Sequence, residues 1–71
     1  MVMLQQTLSE RVTEQVQRWT GRRVRDLSVE VAGELIVLRG FAPSFYVKQL
    51  ALHGVRESLP EAEVRNAIAV A

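Results

Sequence analysis

Leu27-Ser28-Val29-Glu30-Val31-Ala32-Gly33-Glu34-Leu35-Ile36-Val37-Leu38-Arg39-Gly40 is the stretch whose reading decides the fold. Leu27, Val29 and Val31 alternate with Ser28 and Glu30, the period of two that a half-buried strand requires. A second strand, Glu34 to Phe41, follows across Ala32-Gly33, and the turn determines which side chains share a face. A two-residue turn at Ala32-Gly33 sets Val29 opposite Ile36 and Leu27 opposite Leu38, with Glu34 at the fringe beside Val31. Adding Glu34 to the turn sets Arg39 opposite Leu27 on the apolar face, so the two-residue turn is the better reading. It leaves Leu35, Val37 and Arg39 on the outer face and predicts an ion pair between Asp26 and Arg39.

Beyond the second strand, Pro43-Ser44 marks a helix start, because proline is tolerated in the first turn and serine caps exposed amides. The helix is expected to run to about Leu59 and stop before Pro60. Val47, Leu50, Ala51, Gly54, Val55 and Leu59 cover a wide arc, and the small Ala51 and Gly54 predict a close seat on the sheet. Phe45, Tyr46 and Leu52 fall outside the centre of that arc. Upstream, Leu4, Leu8, Val12, Val16 and Trp19 form one stripe of a helix that Gly21 terminates, placed from about Leu4 to Thr20. Gln6, Glu10, Thr13, Glu14 and Gln17 take its other side. At the far end Val64, Ile68 and Val70 alternate with Arg65, Ala67 and Ala69 as a third strand. Asn66 shares the inward parity, so it is expected at an end or bonded to backbone. The order is α-β-β-α-β, an α+β class with two helices packed on one face of a three-stranded sheet.

Seventy-one residues provide one modest core, so residues 1–71 are read as a single domain. Hydrophobic residues make up 48% and charged residues 24%, which excludes collagen-like, disordered and helical membrane-spanning designs. With no cysteine there is neither a disulfide nor a thiolate metal site, and packing or self-association must hold the core. A net charge of +1 argues against nucleic acid as the partner. Met1-Val2-Met3-Leu4 lacks the basic start and long apolar run of a signal peptide. A cytoplasmic location is expected if the chain is full-length, and a periplasmic one if it is a domain cut from an exported protein.

Leu27-x-Val29-x-Val31, Ile36-x-Leu38-x-Gly40 and Val64-x-Asn66-x-Ile68-x-Val70, with Ser44, Ala51 and Val55 between them, resemble the pattern of BON domains. These are small modules of bacterial envelope and stress-related proteins. The resemblance implies a mixed sheet, Gly40 as the family's glycine, and binding of phospholipid or other envelope components.

Arg18, Arg22, Arg23 and Arg25 lie within eight residues around a helix end and a strand start. They suit either the phosphates of an anionic lipid or nucleic acid, or the negative end of the helix dipole; the second is the simpler reading. Leu35, Val37, Ala67 and Ala69 make the outer sheet face apolar enough to pair two subunits or hold a partner, or they simply suit a strand. Phe45, Tyr46 and Leu52 are expected to pack on Trp19 or Leu4, with a docking surface as the alternative. Gly33 serves the turn, and Gly40 a bend or close helix approach at the end of the second strand. His53 alone makes no metal site, and no nucleophile, base and orienting group converge, so neither enzymatic activity, cofactor nor small-molecule substrate is expected. The expected role is binding or assembly through protein contacts, as a homodimer or with another protein; the alternative is a peripheral anionic membrane.

Overall fold

A computed structural model describes residues 7–71, folded in the order α1 (Leu8–Thr20), β1 (Arg25–Ala32), β2 (Leu35–Ala42), α2 (Phe45–Ser58) and β3 (Glu63–Val70). The chain is α+β with a three-stranded mixed sheet in the order β1-β2-β3. β1 and β2 are antiparallel neighbours, which a tight turn can join, whereas β2 and β3 are parallel and need the crossover that α2 supplies.

α1 begins later than the apolar spacing suggests. Thr7 is extended, with φ −73° and ψ 162°, and its hydroxyl accepts a bond from the Glu10 amide at 3.2 Å. The Glu10 carboxylate in turn accepts from the Thr7 amide at 3.2 Å, so this capping box sets the start at Leu8 rather than near Leu4. Leu4 lies outside the described residues. Val12 and Val16 are buried as the stripe requires, but Leu8 and Trp19 on either side of them are partly exposed. Thr20 fills the last inward position, fully buried, with its hydroxyl donating to the Val16 carbonyl at 2.8 Å. Gly21 closes the helix in the left-handed conformation at φ 64°.

The turn between β1 and β2 is Gly33-Glu34, one residue later than Ala32-Gly33. Gly33 takes φ 62° at the first central position, where primed hairpin turns require a positive value. Val29 therefore faces Leu38 and Val31 faces Ile36. Each partner has moved by two positions, an even shift, so the side chains keep their faces. Ile36 and Leu38 join the core, and Leu35, Val37 and Arg39 lie on the opposite side. The ion pair changes: Arg39 binds Glu30 at 3.0 Å, diagonally across the strands, instead of Asp26. Asp26 sits at φ 52° where the register shifts between Arg25 and Ser28.

Gly40 lies against that irregularity with φ 150°; a Cβ there would stand 2.8 Å from the Arg25 carbonyl oxygen and 3.2 Å from the Leu27 Cα. The close approach anticipated for this glycine is thus to the β1 backbone, not to a helix. Gly54 differs from expectation in the same way. A Cβ on it would meet Trp19 Cδ1 at 2.8 Å, so it lets α1, not the sheet, come close to α2.

Val12, Val16, Val24, Ile36, Leu38, Ala42, Val47, Ala51, Val55 and Ile68 form one buried cluster. α1 touches α2 and β1, and α2 also touches β2 and β3. Each valine, leucine or isoleucine of this cluster contributes about 1.5–3 kcal/mol on burial, which makes the cluster the main stabilising term in a chain without cross-links. Ser44 caps α2 by accepting from the Val47 amide at 3.2 Å. Asn66 bonds to backbone as its parity predicts: its amide donates to the Lys48 carbonyl at 3.0 Å and its oxygen accepts from the Ile68 N–H at 3.3 Å, tying α2 to β3.

Two glycine substitutions separate strain from crowding. Gly40→Ala places a methyl group inside backbone contact distance and is expected to cost more than about 2 kcal/mol in urea unfolding. Gly33→Ala meets no atom within 4 Å and should cost only the left-handed penalty of about 1–2 kcal/mol. Equal losses would contradict the packing described for Gly40.

Candidate binding surface

Pro43 and Ser44 turn the chain from the end of β2 into α2, so the last residues of β2 and the first of α2 emerge at the same end of the domain. Phe45 is 61% exposed and Tyr46 66%, the highest among the large apolar side chains of the described residues. Exposure this high is contrary to the expectation that they pack on Trp19; the alternative contact, Leu4, lies outside the described residues. Trp19 instead lies beside His53, with ring centroids 4.9 Å apart and planes tilted by 57°. Leu52 is half-buried.

Phe41 belongs to this end as well and is 43% exposed. It has the parity of Leu35, Val37 and Arg39 and so faces away from the core. That parity was readable in the sequence, yet it did not single Phe41 out, because an aromatic residue at a strand end also suits the core.

The four arginines do not converge. Arg25 pairs with Phe41 in the β1–β2 register, and Arg23, Arg25, Phe41 and Pro43 line one open cavity of about 270 Å³. Arg18 lines a different cavity with Glu14, Leu8 and Leu59. Arg22 occupies a left-handed conformation at φ 60° directly after the α1 cap. Arg23 serves the helix end: its Nε donates to the Thr20 carbonyl at 2.8 Å, where the orphan carbonyls and the dipole favour a cation. The cluster therefore splits, with Arg23 and Arg25 beside Phe41 and Arg23 already bonded within the chain.

The outer sheet face is less open than its composition suggests. Val37 is only 9% exposed although it lies outside the core cluster. Its register neighbours are Glu30 and Arg65, and along its own strand Arg39 reaches Glu30, so long charged side chains cover it. Leu35 is half-buried, while Ala67 and Ala69 remain exposed.

Among the described residues no three His, Cys, Asp or Glu side chains gather as metal ligands, and no helix is long and apolar enough to cross a membrane. His53 Nε2 stands 3.7 Å from a Glu57 carboxylate oxygen on the exposed side of α2. Comparison with protein-family models, with curated proteins and with solved structures finds no match to this chain.

The division among the arginines has a measurable consequence. Arg23→Ala removes a bond to the end of α1 and should lower stability by about 0.5–1 kcal/mol, whereas Arg22→Ala should leave it unchanged. Urea midpoints of the two variants give the comparison; identical midpoints would remove Arg23 from the helix end.

Proposed function

We propose that the domain is a non-enzymatic binding module that works through protein–protein contact, with the Phe41–Tyr46 end as its docking surface. The carrying observation is the exposure of two consecutive aromatic residues, Phe45 and Tyr46, in the first turn of α2, with a third exposed aromatic, Phe41, four residues upstream at the end of β2. Exposed aromatic side chains are costly in water and are characteristic of interaction sites, where rigid rings contribute contact area at small entropic cost. Arg23 and Arg25, which line a cavity with Phe41 and Pro43, add donors for carboxylates or carbonyls. The partner is another protein or a second copy of the chain.

A photoreactive phenylalanine analogue tests the reading in the native host. Placed at Tyr46 it should give a discrete cross-linked protein adduct on irradiation, while the same analogue at Arg56, on the exposed side of α2, should give none. Adduct formation at both positions alike, or at neither, contradicts the assignment.

A second reading is favoured by the pairing of arginine with aromatic residues, because guanidinium groups and rings at one end also suit an anionic lipid surface. The resemblance to BON domains points the same way. It predicts co-sedimentation with phosphatidylglycerol vesicles at low salt, lost on joint charge reversal Arg23→Glu and Arg25→Glu and absent with phosphatidylcholine vesicles. Absence of co-sedimentation at low salt would remove it.

A further inference from the structure

We propose that the outer edge of β3 pairs with the β3 of a second copy of this chain, antiparallel about a two-fold axis at Ala67, joining two three-stranded sheets into one of six strands. The proposal rests on the protein-contact reading but uses a different surface from the aromatic end.

Among the described residues β1 and β3 are both edge strands, and they are not protected equally. β1 carries the register shift between Arg25 and Ser28, the left-handed Asp26, and exposed charges at Arg25, Asp26 and Glu30. These are devices that stop an edge from templating another strand. β3 runs eight residues in unbroken register with β2, holds no proline or lysine, and from Asn66 to Val70 bears no charge.

The free backbone groups can be assigned. The Glu63 N–H donates to the Glu34 carbonyl at 3.0 Å and the Ala71 N–H to the Ala42 carbonyl at 2.8 Å. Odd-numbered residues of β3 therefore direct their backbone toward β2, and Val64, Asn66, Ile68 and Val70 direct theirs to the free edge. The Ile68 N–H confirms the direction by taking the Asn66 side-chain oxygen at 3.3 Å, a long bond that strand pairing exchanges for a backbone carbonyl.

Register follows from parity and charge. Residues facing each other must belong to the same face, so the axis falls on a residue and not between two. An axis at Ala67 sets Val64 against Val70, Asn66 against Ile68 and Arg65 against Ala69, and it engages every edge group from Val64 to Val70. Val70, which has inward parity yet is 45% exposed in the single chain, gains an apolar neighbour. An axis at Arg65 would oppose arginine to arginine.

At the axis the two copies of Ala67 form a non-hydrogen-bonded pair with Cα atoms about 4.5 Å apart, inside the range a disulfide spans. The chain has no cysteine, so Ala67→Cys introduces a single thiol. On mild oxidation Ala67→Cys is expected to form the disulfide-linked dimer at least about tenfold faster than Ala69→Cys, whose copies stand roughly 13 Å apart in this register. Sedimentation equilibrium should show the wild-type chain as a dimer, Ala67→Glu as a folded monomer, and the double variant Phe45→Ser with Tyr46→Ser still as a dimer. A wild-type monomer at about 1 mM, on the scale of weak association, overturns the proposal. So does a dimer that survives Ala67→Glu without preferential cross-linking at position 67. A dimer lost only in the Phe45 and Tyr46 variant assigns self-association to the aromatic end instead.

Discussion

Pairing of β2 with a neighbour on each side is the constraint on which the rest of this structure depends. As the central strand it must satisfy hydrogen bonds in both directions while alternating its side chains between two environments. Ile36 and Leu38 go to the core, where they share one buried cluster with valines of both helices. Val37 goes to the other side and is covered by charged side chains of β1 and β3. Reversing that parity would expose the two largest aliphatic contributions of the strand and bury Arg39, a loss of several kcal/mol in a domain with no disulfide to compensate.

Two glycines transmit this constraint to the neighbouring elements. Gly40 lets the irregular part of β1 cross close to β2, which ends regular pairing there and lets Arg25 face Phe41. Gly54 lets Trp19 settle onto α2, so that the two helices approach each other as well as the sheet. The wide apolar arc of α2 is explained by these several neighbours. What the arc does not cover is its first turn, where Phe45 and Tyr46 stand in solvent.

The sequence made the element order and the strand faces legible because both rest on period, and period survives small errors of register. The turn lies one residue later than the alternation implies, yet the even shift in pairing leaves Ile36 and Leu38 inward. The same shift is fatal to the expected ion pair, since Asp26 and Glu30 differ by position and not by period. The start of α1 was signalled by Thr7-x-x-Glu10, a local capping pattern that the longer apolar stripe through Leu4 obscured. The candidate surface was legible only in part. Helical spacing put Phe45 and Tyr46 off the core arc but did not say whether α1 would cover them, because the course of a neighbouring helix depends on tertiary packing such as Trp19 on Gly54. The splitting of the arginines followed from the left-handed turn at Gly21 and Arg22, a backbone feature with no side-chain periodicity to announce it.

Methyl-to-methyl nuclear Overhauser contacts measure the parity of β2 most directly. The account predicts cross-peaks from the Ile36 and Leu38 methyl groups to Val12, Val16, Val47 and Val55, with none from Val37 to any of these four. Contacts from Val37 to the helix valines, with Ile36 and Leu38 silent, would contradict it.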